Sequence, residues 1–203
     1  MEFFTEYKNE LGKRYHTFNL MFNILNDKGE PTNIIETGCI RKKGNFRDGQ
    51  STLLFGRFIQ EETGGTLETI DVSKSNMDVC KGVTKEYRSN IIYTVGDSVE
   101  ALSKMSDERI FHTDLFYLDS FDLSLKNPKP SMMHHKKELL AIFSRINNES
   151  LIVVDDNTPE VGKGKYVYDY LLANGWVLLN SDKDYQWVFG FGGFSEEYNE
   201  YRI

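Results

Sequence analysis

The feature that most constrains this chain is a unit that recurs along it. A short β-branched or apolar run ends at an acidic residue, and a segment with helical spacing follows. "NIIET", "TLETIDV", "NIIYTVGD", "DLFYLDS" and "SLIVVDD" are runs of this kind. The spacing predicts helices over 50–62, 75–88, "SVEALSKM", 132–146 with Ser131 as its cap, and 164–174 closed by Gly175. Strands alternating with helices imply parallel βαβ units in an open α/β sheet with helices on both faces. "WVLLN" and "QWVFGF" have only the polar turn "SDKD" between them, so they are expected to form an antiparallel hairpin at one edge. Ahead of the first strand, Phe3, Phe4, Tyr7, Leu11, Tyr15, Phe18, Phe22 and Leu25 fall at helical spacing, which predicts one helix over 3–26. Its aromatic stripe is read first as packing that covers the sheet. Shaping an acceptor pocket or pairing two copies as a homodimer are the alternatives.

In open α/β sheets, ligands bind beyond the carboxyl ends of the strands, near the point where strand order reverses. That rule singles out Glu36, Asp71, Asp97, Asp119, Asp155 and Asp156, all acidic. An acidic rim suits a ligand with hydroxyls or positive charge, or a hard metal ion. Gly38 lets the backbone turn sharply beside a ligand. Asp71 is placed to accept both hydroxyls of a ribose, or else to cap a helix, since Ser73 and Ser75 follow. Asp97 and Ser98 divide in the same way between ligand contact and helix cap.

Composition removes several classes. A chain of 203 residues suits one domain, and it buries roughly 70% of the surface its unfolded form exposes. The net charge of −7 weighs against a general nucleic-acid binder, which needs a basic face. No apolar run approaches the ~20 residues that cross a bilayer, and the acidic, amphipathic N-terminal stretch does not read as a targeting peptide. Cys39 and Cys80 lack metal-site spacing and are expected as free thiols in a reducing cytoplasm.

Taken together, "IIETG", "GQST", "LETIDVS", "YTVGDSVEAL", "FYLDS" and "LIVVDDN" resemble a class I S-adenosylmethionine-dependent methyltransferase over residues 33–191. Within that class the chain looks most like the macrocin-type and catechol-type O-methyltransferases. The resemblance implies a Rossmann-like three-layer sandwich with a seven-stranded, mostly parallel sheet and a reversed C-terminal strand. It implies a single domain over 1–203, with residues 1–30 as a helical cap. It implies S-adenosylmethionine as cofactor, with Glu36 and Gly38 bordering its methionine part, Asp71 holding the ribose, Asp97 with Ser98 near the adenine, Thr37, Ser51 and Val72 as further cofactor-binding residues, and Asp119 as both a cofactor-binding and a catalytic residue. The substrate implied is a hydroxyl on a small molecule or sugar. One stretch departs from the family pattern: Cys39-Ile40-Arg41 stands where clustered glycines are usual, and Gly44 and Gly49 come late. Arg41–Asp48 is read as an extended loop over the cofactor or substrate mouth, or as a solvated basic loop.

The same resemblance implies a Mg²⁺ site at Asp119, Asp155 and Asp156, with Asn157 as a substitute ligand. Hard oxygen donors suit that ion, which lowers the pKa of a nearby hydroxyl. His134 and His135, in the helix after the fourth strand, are candidates for the general base because histidine titrates near neutral pH. Arg41, Lys42 and Lys43, with Lys126, Lys129, Lys136 and Lys137, frame an anionic substrate or form a solvated face. "VGKGKY" lacks the P-loop pattern and reads as a substrate-side loop that brings Lys163 or Lys165 near the acceptor. Two other functions stand beside methyl transfer. A nicotinamide-dependent oxidoreductase fits the sheet but lacks Gly-x-Gly-x-x-Gly, and a non-catalytic binding module leaves the grouped acids without a purpose.

Overall fold

A computed structural model describes residues 2–158 and 160–192, with side chains from Phe4 onward. Seven strands, β1 (Thr32–Thr37), β2 (Gly65–Asp71), β3 (Ile91–Val95), β4 (Leu115–Leu118), β5 (Leu151–Val154), β6 (Trp176–Leu178) and β7 (Trp187–Phe191), form one sheet in the order β3-β2-β1-β4-β5-β7-β6. The first five are parallel, while β7 runs antiparallel to both β5 and β6. The expected α/β architecture and reversed C-terminal strand are both present. Strand order reverses between β1 and β4, where Thr37 lies opposite Leu118 on one side and Ile70 on the other. This register brings the carboxyl ends of β1, β2 and β4 to one rim, so residues far apart in sequence meet there.

The helices are α1 (Glu2–Thr5), α2 (Lys8–Leu11), α3 (Tyr15–Asp27), α4 (Ser51–Phe58), α5 (Lys74–Val83), α6 (Ser98–Lys104), α7 (Asp107–Phe111), α8 (Lys129–Ile142) and α9 (Lys165–Ala173). Alternate residues of each strand feed opposite faces of the sheet. Ile34, Leu67, Leu115, Tyr117 and Val153 pack with Phe18, Phe22, Phe55 and Phe58 of α3 and α4. Ile35, Ile70, Phe116, Leu118 and Val154 pack on the other face with Leu102, Leu139, Ile142, Val167 and Leu171 of α6, α8 and α9. The result is a three-layer sandwich.

The N-terminal segment differs from the single helix expected. Gly12 takes φ +52°, and a 3₁₀ turn over Gly12–Arg14 separates α2 from α3. Phe4, Leu11, Phe18, Phe22 and Leu25 are buried in the chain's own core. These members of the aromatic stripe are packing, with Tyr7 and Tyr15 partly buried against them; the side chain of Phe3 lies outside the described residues. The helix expected over 75–88 ends at Val83, where the Thr84 hydroxyl turns back to the Cys80 carbonyl at 2.8 Å. Ser131 does not cap the helix after β4. That helix begins at Lys129 with Pro130 in its first turn, where a missing N–H costs nothing, and Ser131 donates to the Phe121 carbonyl at 3.0 Å. His134 and His135 accordingly sit in the second turn. α7 was not anticipated, although Ser106 followed by Asp107 and Glu108 is its N-terminal signature, with the Ser106 hydroxyl accepting from Arg109 N at 3.2 Å.

Candidate functional site

At the reversal point a cavity of about 180 Å³ opens between the strand ends. Gly38, Cys39, Arg41, Asp48, Gly49, Ser51, Asp71, Val72, Asn76, Asp119, Ser120 and Asp122 line it. Gly38 makes the approach of β1 to β4 possible: its φ is +82°, and a Cβ there would stand 2.5 Å from the Asp119 carbonyl oxygen. Thr37 supports the same junction, its hydroxyl accepting from Asp119 N at 3.2 Å. Asp71 ends β2 with its carboxylate held by three neighbours. It accepts from Ser73 N at 2.7 Å, Cys39 N at 3.3 Å and Asn76 Nδ2 at 3.3 Å. Val72, next to it, is 75% exposed at the cavity edge, an apolar surface open to a ligand.

The loop from Arg41 to Asp48 reaches over this cavity and is tied at several points. Arg41 pairs with Asp48 and, across the opening, donates to Asp122 at 2.8 Å. Gln50, buried beneath, donates to the Lys42 and Gly49 carbonyls at 3.0 and 2.8 Å. The Phe46 ring packs on Tyr7 with centroids 5.5 Å apart. Arg41 is thus engaged by Asp48 and Asp122.

Not every expected residue reaches the cavity. Glu36 is fully buried and faces α4 and β2, where Thr52 and Thr69 donate to its Oε2 at 2.6 and 2.7 Å. Burial pushes its carboxyl up to about 8, against hydrogen bonds from Ser51, Thr52 and Thr69 that favour the charged form. Asp97 caps α6 by accepting from Glu100 N at 3.0 Å, and Ser98 contacts His134 Nε2 at 3.0 Å. Neither of these is among the residues that line the cavity. His135 is buried, its Nδ1 on the Ser131 carbonyl at 2.8 Å, and burial lowers it to about 4, so it is neutral near pH 7. Glu138, also buried, accepts from Ser120 Oγ at 2.6 Å and lies 3.5 Å from His134 Nε2. His134 therefore faces α6 and the loop after β4, where its ring centroid lies 5.2 Å from that of Phe121, while His135 is bonded within α8.

Beside the cavity, the ends of β4 and β5 bring Asp119, Asp155 and Asp156 together, as the sequence suggested. The partners of these acids were not foreseen. Lys163, 1% exposed, pairs with Asp119 and lies 2.9 Å from Asp156. Arg14, from the turn that breaks the N-terminal helix, donates through Nε to Asp155 at 2.9 Å and through Nη2 to Asp156 at 3.2 Å. Its guanidinium also lies 4.5 Å from the Tyr185 ring centroid. Tyr117 donates to Asp155 at 3.0 Å, Tyr185 donates to Asp156, and Gln186 and Thr17 continue the buried network behind Tyr117. Burial works against the charge of Lys163, yet Asp119 and Asp156 beside it raise its pKa above the usual lysine range. Asp119 is raised above the usual carboxylate range by burial, opposed by Lys163 and reinforced by Asp155 and Asp156.

The loop that carries Lys163 is built around Asn157. Asn157 Oδ1 accepts from Gly164 N at 2.8 Å, and its Nδ2 donates to the Val154 carbonyl at 2.8 Å. A Cβ on Gly162 would stand 2.4 Å from that Oδ1, and one on Gly164 would stand 2.9 Å from it. Asn157 is therefore a buried turn clamp rather than a substitute metal ligand. Asp156 adopts φ +55°, the one non-glycine residue at positive φ among those described, which marks a constrained position beside the site.

Mg²⁺ would meet three carboxylates here. The oxygens are chemically suitable, but an ammonium already bridges two of the three acids and a guanidinium takes the third. Among the described residues, no group of three or more His, Cys, Asp or Glu side chains is arranged to hold a metal ion. As they stand, these residues do not fit a divalent ion. The cavity itself fits S-adenosylmethionine by its chemistry: a carboxylate held ready for a diol at Asp71, an exposed apolar side chain at Val72, and several acids for a cationic ligand. Among the described residues no helix is long and apolar enough to cross a membrane.

No protein-family model and no curated protein matches this chain. Its fold is shared with solved methyltransferase structures. An O-methyltransferase from Bacillus cereus, in complex with SAH, superposes with a TM-score of 0.54 at 16% identity, over 83% of this chain and 77% of that one. CalS11, a TDP-rhamnose 3'-O-methyltransferase in calicheamicin biosynthesis, gives 0.57 at 16% identity over 87% and 77%. TomG of Streptomyces achromogenes, an O-methyltransferase involved in tomaymycin synthesis and in complex with SAM, gives 0.55 at 14% identity over 85% and 78%. At these identities the likeness is one of fold.

Proposed function

We propose that this chain, acting as one domain with its N-terminal segment as a cap, transfers a methyl group from S-adenosylmethionine to a hydroxyl oxygen of a small molecule or sugar. The observation that carries the reading is the cavity between the ends of β1, β2 and β4, lined by Gly38, Asp71, Val72 and Asp119. In this proposal Gly38 and Ser51 border the methionine part, Asp71 accepts the ribose hydroxyls, and Val72 covers the base. Asp97 and Ser98 hold the head of α6 near the base rather than touching it. Glu36 and Thr37 act from beneath, fixing α4 and the β1–β4 junction. When bound, the cofactor supplies an electrophilic methyl group on a sulfonium. Asp71 and Asp119 give that positive charge acidic neighbours, while Asp48 and Asp122 are taken by Arg41.

The acceptor lies on the side of Asp119 and Asp156. We assign Asp119 the role of taking the hydroxyl proton, since burial and neighbouring acids raise its affinity for one. His134 and His135 are bonded within α8 and to α6, and the proposal gives them a positioning role instead. Assistance by Mg²⁺ is not carried into the proposal, because the chain's own cations already take the acid oxygens.

Equilibrium dialysis with labelled S-adenosylmethionine tests the reading. Wild type is expected to bind one equivalent. Asp71→Ala, losing charge-assisted hydrogen bonds of about 1.5–3 kcal/mol each, is expected to bind at least roughly tenfold more weakly. No binding by wild type would reject the function, and equal binding by the variant would reject the role of Asp71.

A further inference from the structure

We propose that Lys163 is a built-in cation that stands where a divalent ion would otherwise join these carboxylates, so that the acid cluster works without a metal. The claim deepens the methyl-transfer reading, and for its catalytic consequence rests on it. Three aspartates meeting at the ends of two neighbouring strands repel one another unless positive charge lies between them. Here that charge comes from Lys163, on Asp119 and Asp156, and Arg14, on Asp155 and Asp156. A divalent ion would have to enter beside two cations already fixed on these carboxylates. Mg²⁺ also requires several oxygens at near-octahedral positions. The oxygens in question already receive the ammonium, the guanidinium and the hydroxyls of Tyr117 and Tyr185.

The lysine is placed by design of the loop rather than by chance. A buried lysine is rare unless paired, and Lys163 is 1% exposed. The two glycines on either side of it have no room for a side chain against Asn157, whose amide clamps the turn to Gly164 and Val154. The backbone passes closely round Asn157 and delivers the ammonium between Asp119 and Asp156. Because the side chain is enclosed, Lys163 acts through those two carboxylates, which remain partly open with side-chain exposures of 21% and 23%. It is a positioning residue: it fixes the acceptor-side oxygens in direction and opposes the burial that raises Asp119.

The test reads metal binding directly. Mn²⁺ is titrated into wild type, Lys163→Ala and Lys163→Met, with free Mn²⁺ followed by electron paramagnetic resonance. Folding is checked by circular dichroism, and S-adenosylhomocysteine affinity is measured separately. Wild type is expected to bind no Mn²⁺ at this cluster, and methyl transfer to proceed unchanged in EDTA. Vacating the lysine is expected to create one Mn²⁺ site, at least about tenfold tighter than any in wild type, that Asp156→Asn then removes. A lysine that merely supported the fold would produce no such gain. Mn²⁺ binding by wild type that Asp119→Asn or Asp156→Asn abolishes would overturn the proposal. So would folded variants that all stay silent, because the lysine would then not stand in an ion's place. If neither variant folds, the wild-type titration alone decides. Loss of S-adenosylhomocysteine binding with this metal pattern intact would instead count against the methyl-transfer reading.

Discussion

Gly38 leaves the β1 strand end no room for a side chain. With φ at +82° and the Asp119 carbonyl 2.5 Å from where a Cβ would lie, Gly38→Ala must shift either β1 or β4. The expected cost is about 1–3 kcal/mol in urea denaturation, together with loss of S-adenosylhomocysteine binding. Glu36 gives a second prediction, with a definite sign. Its folded pKa is raised to about 8 from an ordinary value near 4.5. The stabilisation from this neutral carboxyl is therefore full below pH ~4.5 and is lost as pH rises toward 8, at about 1.4 kcal/mol per pH unit at most. Glu36→Gln should flatten that slope, so its stability relative to wild type should rise between pH 5 and pH 8. Denaturation midpoints at the two pH values check this, and parallel curves would mean that Glu36 is ionised in place. At this scale the sequence was informative about acids and silent about their partners. Asp71, Asp119, Asp155 and Asp156 were legible because each ends a strand. Arg14 was not, since it reaches Asp155 across 141 residues; Lys163 was read near the acceptor, but its pairing with Asp119, 44 residues away, leaves no local pattern.

Strands were easier to read than helices. β-branched runs ending in acids located β1 to β5 within a residue or two, and the missing helix between the last two strands gave the reversed hairpin. The N-terminal segment misled because aromatic spacing continued through Gly12, whose left-handed backbone ends α2 and turns Arg14 inward. "VGKGKY" reads from the sequence as a substrate-side loop, and in the structure it is a closely fitted one. Substituting Gly162 by alanine would push a Cβ to 2.4 Å from Asn157 Oδ1. Gly162→Ala is expected to lower stability by about 1–3 kcal/mol. If the loop serves to place Lys163, the variant should also lose turnover while keeping cofactor affinity within a few-fold. Affinity falling in step with turnover would mean that the loop supports the cofactor side instead. Asn157→Ala, which deletes two buried hydrogen bonds, should behave alike, about 1–3 kcal/mol less stable by the same assay.

Across the whole molecule, the sheet order places two kinds of acid side by side. Those at the ends of β1 and β2 surround a cavity or brace it from beneath, and those at the ends of β4 and β5 are gathered under the chain's own cations. A proton-accepting role for Asp119 predicts that turnover falls as pH drops through its raised pKa. Asp119→Asn should lose about 10²–10⁴-fold in turnover and retain cofactor binding. Fold class, sheet direction and the rim were legible because they follow from strand and helix alternation. The charge balance of the site was not, because it is a property of the assembled sheet. The central claim, that the cavity at the reversal point is a cofactor site, is tested most directly by calorimetric titration of the whole protein with S-adenosylhomocysteine, with NADH as the control. The account predicts a single site in the micromolar range, unchanged by EDTA, lost in Gly38→Ala and silent with NADH. Heat with NADH and none with S-adenosylhomocysteine would contradict it.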